Sequence, residues 1–385
     1  MKIIDKLPWS VQSSLGYRPK SCNTKPLQEI LRPTQNKIPY NQYKVVAKGY
    51  EFHLEEPKTY LNDFRHPYFL INKSFPVEDV LFASLKGGRY IQHSFVPTII
   101  DSNNQIIDSA QRHPYYYNPF KDSYTHQALS INKIAKEIKL NGNTLSLATD
   151  GAHNGYFHVL TRLTAKIAVL KELNISIDFF DQFLVNGPST KYKIECLELA
   201  GLPKEQIIFA EEDQHFKCDF LFFVPRIRFH ELGHEFLKDI FKFQGAPFDQ
   251  KLYISREDAK YRRLVNEDDL KAKLSHKNFQ FKTLSGLSIK EQISTFNNSS
   301  TIVGIHGAGM ANLIFCKEQT NLIEIFDDEY VNVNFWFYAQ LFKLNYTPII
   351  GKSVYPKNKN QGRNNDNDVY LSEELLNRLE KFLLK

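Results

Sequence analysis

The spacing of apolar residues in the segment 156–172 predicts an amphipathic helix. Apolar side chains recur there at intervals of three and four residues, which is the period of one helix face. From residue 143 onward such helical patterns alternate with short apolar runs that are typical of buried strands. The predicted strands are 144–148, 179–185, 206–209, 216–224, 252–255, 279–282, 301–303, 322–326 and 347–350, and the predicted helices are 156–172, 190–200, 235–243, 266–274, 288–296, 309–315, 334–342 and 373–384.

The chain before residue 143 has a less regular pattern. Residues 1–75 hold many Pro, Asn and Lys between short apolar pieces, which indicates irregular structure with one or two strands. Two apolar runs, 80–85 and 90–96, are joined by Lys86-Gly87-Gly88 and predict a hairpin. Residues 101–123 read as a polar, aromatic loop that includes Tyr115-Tyr116-Tyr117, and residues 357–368 as a second polar loop.

The alternation of strands and helices predicts an α/β fold with parallel sheets. A break at Gln244-Gly245-Ala246-Pro247 divides it, so we expect an N-terminal domain over 1–243, with an irregular part (1–75) and an α/β core from about 76. A C-terminal domain over 248–350 follows, and then a polar loop and closing helix over 351–385. Folds of this class bind ligands at the carboxyl ends of their strands, and a cleft between two domains is the expected active-site location.

Composition narrows the class of protein. The chain of 385 residues is 42% hydrophobic and 24% charged, as in soluble globular proteins. Its net charge of +6 is spread along the chain, which suits a small polyanionic ligand better than nucleic acid. The four cysteines show neither CxxC nor zinc-finger spacing and read as thiols in a reducing compartment. With neither a signal peptide nor a long apolar span in the pattern, we expect a cytoplasmic protein, with association at the inner face of a membrane left open.

The stretch 301–316 holds the most suggestive chemistry. A β-branched run leads into a loop with Gly304, Gly307 and Gly309, and a helix-like apolar segment follows. Glycines let a ligand approach the main chain, and a helix that starts there directs N–H groups and partial positive charge at an anion. The spacing matches neither the dinucleotide fingerprint nor the P-loop, so a plain strand-to-helix turn is an equal alternative.

A second motif, His230-Glu231-Leu232-Gly233-His234, matches the HExxH pattern of zinc peptidases. That chemistry needs the two histidines one turn apart on a helix and a third ligand. Pro225 precedes the motif, and no further histidine follows at the spacing of the extended motif. Zinc hydrolysis is therefore the weaker alternative, and the segment is better explained as a loop leading into the predicted helix 235–243.

Three stretches, taken together and in this order, resemble glycosyltransferase family 61. They are His153-Asn154-Gly155-Tyr156-Phe157-His158, the element 253–267 with its Ile-Ser-Arg and Arg-Arg-x-x-Asn-Glu pieces, and the glycine box at 304–312 followed by 322–326. The resemblance covers about residues 145–350. It implies a GT-B-type fold of two Rossmann-like domains facing across a cleft, a nucleotide-sugar donor, inversion at the anomeric carbon and no obligatory metal. One departure is Arg162, where the family often has an acidic residue.

The resemblance and the chemistry of sugar transfer together assign candidate residues. Without a metal, the leaving diphosphate needs arginines, backbone amides and a helix N-terminus. Arg263 matches the family better than Arg262, Glu324 is expected to accept the ribose hydroxyls, and Asn266, Glu267 and Asn312 are expected to be structural. The predicted donor-binding residues are Arg256, Arg263, His306, Gly307, Ala308, Gly309 and Glu324.

The acceptor hydroxyl needs a general base, for which the sequence offers His158 and Asp150. We therefore expect an inverting glycosyltransferase that moves a sugar from a nucleotide-diphosphate donor, in the first place a UDP-sugar. The acceptor would be a glycan or lipid-linked saccharide of surface polysaccharide synthesis, with contacts from the tyrosines at 115–117. The open alternatives are a zinc metallopeptidase and a non-catalytic nucleotide-sugar-binding protein. No metal or cofactor beyond the donor is expected.

Overall fold

The computed structural model describes residues 23–71, 74–93, 96–107, 115–118, 123–126, 135–241, 247–355 and 366–384. It is a mixed α/β protein that divides into two compact units. The first comprises the described residues up to Tyr50 and those from Val77 to Ile240, and the second comprises Glu51–Pro76 and those from Phe241 onward. In these ranges no helix is both long and apolar enough to cross a bilayer.

The strands and helices follow the predicted alternation closely after residue 143. The strands are β1 Asn23–Lys25, β2 Arg32–Pro33, β3 Gln42–Ala47, β4 Tyr50–His53, β5 Ser74–Val77, β6 Val80–Lys86, β7 Arg89–His93, β8 Val96–Ile100, β9 Gln105–Ile107, β10 Tyr115–Asn118, β11 Ser123–His126, β12 Glu137–Ser146, β13 Gln182–Asn186, β14 Ile207–Ala210, β15 His215–Phe223, β16 Gln250–Ile254, β17 Phe279–Lys282, β18 Ser299–Ile305, β19 Asn321–Asp327, β20 Asn345–Val354 and β21 Asp368–Tyr370. The α-helices are Leu27–Ile30, Pro67–Ile71, Tyr156–His158, Ala168–Glu172, Lys191–Leu199, Glu231–Ile240, Glu267–Ser275, Ile289–Asn297, Asn334–Leu341 and Glu373–Phe382, with 3₁₀ helices at Thr164–Ile167, Ile177–Phe179, Lys204–Gln206 and Ala308–Phe315 and a π turn at Val159–Leu163.

The main sheet of the first unit is partly parallel and partly antiparallel. Its parallel part has the order β15-β12-β13-β14, and the other edge of β15 pairs antiparallel with β6 and β7. From β12 the chain adds β13 and then β14 on one side, and it returns to add β15 on the other side of β12. The strand order therefore reverses between β12 and β15. Ser146 and Phe223 lie side by side where these two strands end. Ligands of open α/β sheets bind at such a switch point, so the loops after β12 and β15 are candidate site positions.

The hairpin predicted around Lys86-Gly87-Gly88 is wrong. Both β6 and β7 pair with β15, and the pairs Lys86↔Phe220 and Arg89↔Lys217 keep one unbroken register. β6 and β7 are thus successive parts of one interrupted strand that pairs with β15 along its length. Gly87 has φ +66, and its N–H donates to the Asp219 carbonyl, so the glycine pair kinks the strand without reversing it.

The helix predicted over 156–172 is confirmed as one continuous helical segment. Its middle contains the π turn Val159–Leu163, and its apolar face is buried under the sheet. The helix Glu231–Ile240 packs directly on it at Gly233, where an added Cβ would lie 3.0 Å from the Cβ of Ala165. This tight approach explains why a glycine interrupts that helix.

The sheet of the second unit has the order β17-β16-β18-β19-β20-β21, and its first five strands are parallel. β18 and β19 form its centre, where Val303, Ile323 and Ile325 are fully buried. A helix or 3₁₀ helix connects each successive pair from β16 to β20, as predicted. The strand order reverses between β16 and β18, which is the switch point of this unit.

Residues 51–76 belong with the second unit, whereas the sequence placed them in the N-terminal domain. Phe69 packs edge-on against Trp336 with ring centroids 5.2 Å apart, and the Trp336 indole donates to the Glu55 carbonyl at 3.0 Å. Asn62 exchanges two hydrogen bonds with the backbone of Ile350. The segment 366–384 also belongs to this unit, since β21 pairs with β20.

The remaining predictions concern the parts of the chain that were expected to be irregular. The expected loop 101–123 contains β9 and β10, and β10 pairs antiparallel with β11, so the Tyr115–Tyr117 stretch is a strand. The loop 357–368 and the break at 244–247 fall largely outside the described residues, although Asp368 begins β21. Residues 23–75 are more ordered than expected, with β1 to β4 and two short helices.

Candidate functional site

A cavity of about 150 Å³ opens at the switch point of the second unit. It lies where β16 and β18 end, since Ile254 pairs with Gly304 at the same level of the sheet. Its polar lining comes from the segments that follow these strands and from the loop after β17, with Ser255, Arg256, Asp258, Ser285, Gly307 and Gly309 among the lining residues.

The glycine box forms one wall of this cavity as a helix start. Gly307 is the N-cap residue in extended conformation, and the 3₁₀ helix Ala308–Phe315 follows it. At a helix start the first N–H groups have no carbonyl of the helix to donate to. The N–H groups of Ala308 and Gly309 are therefore the available donors for an anion at this wall. Asn312 donates to the Gly309 carbonyl at 3.0 Å, which supports its predicted structural role.

Arg256 forms the opposite wall and approaches the backbone of Gly307 closely. Its Nε donates to the Arg262 carbonyl and its Nη2 to the Tyr261 carbonyl, both at 3.1 Å. A Cβ placed on Gly307 would overlap Nη1 of Arg256. Glycine at this position therefore lets the guanidinium lie against the box, and diphosphate binding by the two stays a prediction.

Arg262, rather than Arg263, faces the same cluster. Its backbone is in the left-handed region at φ +57, and its guanidinium lies over the Tyr330 ring at 5.8 Å. Its Nε is buried without a hydrogen-bond partner. Burial and the charge of Arg262 lower the pKa of Arg256 to about 10. The two guanidinium groups thus lie close enough to repel each other, while Asp258 and Asp368 partly offset the charge of Arg256.

Arg263 points elsewhere. Its backbone N–H donates to Oδ1 of Asp368 at 2.9 Å, its side chain pairs with Oδ2 at 3.4 Å, and the side chain is half exposed. It fastens the loop to β21. The preference for Arg263 over Arg262 as the diphosphate ligand is therefore contradicted by the positions of the two side chains.

His306 and Glu324 form a buried pair between β18 and β19. Nδ1 of His306 lies 2.6 Å from Oε1 of Glu324, and the Tyr346 hydroxyl donates to Oε2 at 2.7 Å. Burial, followed by the charges of Arg262 and Arg256, holds the pKa of His306 well below its usual value. Burial also raises the pKa of Glu324 well above its usual value, against the opposing effect of Tyr346.

The role predicted for Glu324 does not fit this arrangement. It was expected to accept the ribose hydroxyls of the donor from the end of a strand. In the structure it lies within β19 with no exposed surface, and both oxygens are engaged by His306 and Tyr346. Its direct contacts serve to hold His306 in place.

Three aromatic rings surround the His306 imidazole. Phe326 stacks on it at 5.2 Å, Phe335 is tilted at 5.2 Å, and Tyr330 meets it edge-on at 5.5 Å. These rings fix the plane of the imidazole and exclude water from its faces. With Nδ1 taken by Glu324, Nε2 is the ring nitrogen left for a ligand.

At the switch point of the first unit, Asp150 follows β12 and pairs with Arg162. Nη1 of Arg162 lies 3.0 Å from Oδ2 of Asp150, and the two side chains are 8% and 16% exposed. Lys166 stands beside them, fully buried, and donates to the Ala148 carbonyl at 2.6 Å. Burial lowers the pKa of Lys166 to about 7, although Asp150 opposes the shift. The residue that departs from the family pattern, Arg162, is therefore the ion-pair partner of a predicted catalytic residue.

His158 lies one turn from this pair, against the glycine turn that precedes the helix. Cβ atoms added to Gly151 and Gly155 would meet its ring at 2.6 and 2.8 Å. The two glycines thus make room for the imidazole, which stays half-buried and accessible. His158 and Asp150 are brought to the same end of the first unit, and their catalytic roles stay predictions.

The HExxH segment does not form a zinc site. His230 precedes the helix Glu231–Ile240, its Nε2 bonds the Lys48 carbonyl at 3.1 Å, and its Nδ1 accepts the Leu232 N–H at 3.2 Å. Burial lowers the pKa of His234 to about 3. With both nitrogens of His230 engaged, the motif lacks one of its two histidine ligands. Among the described residues no three His, Cys, Asp or Glu side chains are grouped as metal ligands.

Asn266 and Glu267 are structural, as predicted. Asn266 bonds both the N–H and the carbonyl of Leu371, and Glu267 accepts from the Tyr253 hydroxyl at 2.8 Å. These contacts anchor the helix Glu267–Ser275 rather than reach the cavity.

The sequence did not identify several residues of the second-unit site. Tyr346 lies on β20, and nothing in its local pattern distinguishes it from a core tyrosine. Asp258 and Ser285 bond each other at the cavity edge from different loops. For Arg262, the sequence offered one indication, which is its place in the Arg-Arg pair. The left-handed backbone at this residue shows which of the two arginines turns inward.

Comparison with known proteins agrees with this geometry. Residues 156–323 match the family model described as Glycosyltransferase 61. Over this stretch, which is a little under half of its 385 residues, the chain is similar to glycosyltransferase family 61. The matched stretch includes His158, Arg256 and the glycine box, and it ends one residue before Glu324.

A curated relative is the EGF domain-specific O-linked N-acetylglucosamine transferase of Drosophila melanogaster. It is 30% identical over 101 residues, which are 25% of this chain and 19% of that protein. The chain therefore matches about a fifth of the relative's length.

Proposed function

We propose that this protein is a family 61 glycosyltransferase that takes a sugar from a nucleotide-diphosphate donor and holds the diphosphate at the second-unit cavity. One observation carries the proposal. Arg256 and the helix start at Gly307–Gly309 line the cavity where β16 and β18 end, and the charge of Arg262 lies close enough to lower the pKa of Arg256. A leaving diphosphate needs this combination of charge-assisted donors and backbone N–H groups.

The electrostatics of the free site support an anionic ligand. Within the described part of the chain, neither Arg256 nor Arg262 forms an ion pair with a carboxylate. The lowered pKa of Arg256 reflects burial and repulsion by Arg262. A diphosphate between the two guanidinium groups would remove that repulsion, because each would gain an opposite charge at short range. The site is built for an anion of higher charge than a single carboxylate.

The finer features of the reaction belong to the same proposal. We propose a UDP-sugar as the donor, and the name of the fly relative makes N-acetylglucosamine the first sugar to test. Inversion at the anomeric carbon, a GT-B-type arrangement of the two units and a glycan or lipid-linked acceptor of surface polysaccharide synthesis follow from the family resemblance. If arginines stabilise the leaving diphosphate in place of a metal ion, the protein should stay active in the presence of a chelator. The buried thiols of Cys196, Cys218 and Cys316 suit a reducing, cytoplasmic environment.

We assign the general base to His158 rather than Asp150. Asp150 is already engaged by Arg162 at 3.0 Å and lies beside the buried Lys166. A carboxylate held by a guanidinium has less freedom to turn toward a substrate hydroxyl. His158 is half-buried at the accessible end of its unit, and an imidazole has the near-neutral basicity that proton abstraction needs.

The decisive experiment compares two arginines of one loop. Calorimetric titrations with UDP, GDP and CMP would be run on the full chain, on Arg256→Ala and on Arg263→Ala. Loss of one charge-assisted contact costs roughly 1.5–3 kcal/mol. We therefore expect Arg256→Ala to weaken UDP binding by roughly 10- to 150-fold, since 1.4 kcal/mol is a factor of ten. Arg263→Ala, whose side chain contacts Asp368, should change it less than about twofold.

Two outcomes would contradict the proposal. If no nucleotide binds the unmodified chain, the donor site is misassigned. If both substitutions weaken binding equally, the effect is a general loss of positive charge and not a contact made by Arg256.

A further inference from the structure

The buried pair of His306 and Glu324 raises the question of where its proton resides. Oε1 of Glu324 and Nδ1 of His306 are 2.6 Å apart, so one proton lies between them. The Tyr346 hydroxyl already donates to Oε2. Glu324 has no exposed surface, and an ionised carboxylate without water or a bonded cation is costly. A protonated Glu324 that donates to His306 satisfies every atom of the pair.

The groups that surround the pair, or act on its direct neighbours, come from six parts of the second unit. Arg256 and Arg262, both after β16, place positive charge beside His306, which disfavours an imidazolium there. Tyr330, from the turn after β19, meets the His306 ring edge-on, and Asp327 at the end of β19 acts on Arg262. From β20, Tyr346 bonds Glu324, and Tyr60 acts on Tyr346 from the segment 51–76. Phe335, on the helix Asn334–Leu341, contributes an apolar ring.

The tautomer of His306 follows from this arrangement. A neutral imidazole carries one N–H, and if Nδ1 accepts from Glu324 the proton must be on Nε2. Nε2 then is a hydrogen-bond donor, and a donor is what an anionic oxygen requires. If Glu324 were ionised, it would accept a hydrogen bond from an Nδ1–H group and leave Nε2 with a lone pair, which cannot donate to an anion. The protonation of one buried carboxyl thus decides whether His306 attracts or repels the ligand.

We propose that Glu324 is a positioning residue that retains its proton and thereby fixes His306 as an Nε2–H donor to the diphosphate of the sugar donor. The inference rests on the function proposed above and deepens it. Glu324 touches neither the diphosphate nor the sugar; it acts through the imidazole. Tyr346 keeps Oε2 occupied, so Oε1 is the oxygen that carries the proton.

The arrangement has a direct consequence for pH. Raising the pH through the pKa of the pair removes its proton, so nucleotide affinity must fall as the solution becomes alkaline. Above that pKa the affinity falls up to tenfold for each pH unit, since one proton is linked to binding. The diphosphate of UDP keeps a constant charge above pH 7.5, because the second pKa of a phosphate group is about 6.

The substitution Glu324→Gln separates this role from a purely structural one. The carboxamide has the same shape, its nitrogen can donate to Nδ1 of His306, and its oxygen can accept from Tyr346. It cannot lose a proton in this range. UDP titrations of the full chain at rising pH should show the affinity of the unmodified protein falling once the pair loses its proton, while the affinity of Glu324→Gln changes by less than about twofold. Tyr346→Phe removes a hydrogen bond that favours the ionised carboxyl, and it should move the loss to higher pH.

A measurement without nucleotide keeps the inference testable by itself. Nitrogen-15 NMR of histidine-labelled protein reports which ring nitrogen of His306 bears the proton, with His306→Gln used for assignment. We expect the Nε2–H tautomer at pH 7.5. An Nδ1–H tautomer at pH 7.5 would overturn the inference, and so would a loss of affinity with rising pH that is equal in the unmodified protein and in Glu324→Gln. If UDP fails to bind at every pH, the proposed function fails, while the tautomer still decides the state of Glu324.

Discussion

Gly307→Ala is the substitution that isolates the diphosphate contact most sharply. Gly307 has φ −177, an extended conformation that alanine adopts without strain. The new methyl group would overlap Nη1 of Arg256 and no backbone atom, so a flexible guanidinium has to move away from the helix start. The fold should therefore survive while the geometry of the anion site is lost.

The structure sets the expected magnitudes. Displaced by a methyl group, Arg256 loses its aligned contact with a ligand, and a charge-assisted hydrogen bond is worth roughly 1.5–3 kcal/mol. This corresponds to UDP binding weakened by roughly 10- to 150-fold. The free energy of unfolding should change by less than about 1 kcal/mol, because the hydrogen bonds of Arg256 to the Tyr261 and Arg262 carbonyls connect residues of one loop.

The assay is a double-mutant cycle on UDP affinity, with Arg256→Ala as the second change. If Gly307→Ala acts by displacing Arg256, it should cost little once the guanidinium is absent, and the two effects should not add. Gly309→Ala is the comparison variant, since its methyl group would meet Cδ1 of Leu284 at 2.5 Å and leave Arg256 in place, so any loss it causes should add to that of Arg256→Ala. Chemical denaturation of each variant gives the stability change.

Additive effects in the cycle would refute the reasoning, because they would show that Gly307→Ala and Arg256→Ala act independently. A large loss of stability with Gly307→Ala would refute it differently, by showing that the box cannot accept a side chain at all.

Two further predictions concern the first unit. His158→Ala should lower the rate of sugar transfer by roughly 10²- to 10⁴-fold and leave UDP affinity unchanged, as measured by turnover and calorimetry; unchanged turnover would exclude His158 as the base. Lys166 has a pKa of about 7 when folded and about 10.5 when unfolded. The unfolded chain therefore binds one more proton than the folded protein between these pH values. The free energy of unfolding, measured relative to Lys166→Met by chemical denaturation, should rise with pH across that window by up to roughly 5 kcal/mol. A difference in unfolding free energy that does not change with pH would contradict the lowered pKa.

The sequence predicted most of the helices and strands after residue 143 because their burial is periodic. The segment 156–172 shows this well, since its apolar residues repeat at helical spacing and the whole face is buried. The same local argument failed at Gly87-Gly88, where two glycines suit a reversal as well as a kink. Only pairing with β15, about 130 residues later, decides between them.

In the candidate site too, some residues could be predicted from the sequence and others could not. Arg256 and the glycine box could be found because each follows a predicted strand, and strand ends are where α/β folds place ligands. The choice between Arg262 and Arg263 depends on a single left-handed backbone angle, which neighbouring residues do not reveal. The burial of Glu324 depends on Tyr346, a contact between two strands. Local pattern predicts which loops form a site, while long-range packing decides which side chains enter it.

The affiliation of residues 51–76 with the second unit has a consequence for how the protein can be made and divided. During synthesis Phe69 leaves the ribosome some 267 residues before Trp336, the ring that covers it. The second unit therefore cannot complete its core until almost the whole chain exists. The family-matched stretch 156–323 contains parts of both units and lacks β20 as well as the segment 51–76. The limits of this stretch show where the sequence resembles the family. A fragment cut at residues 156 and 323 would leave the cores of both units incomplete.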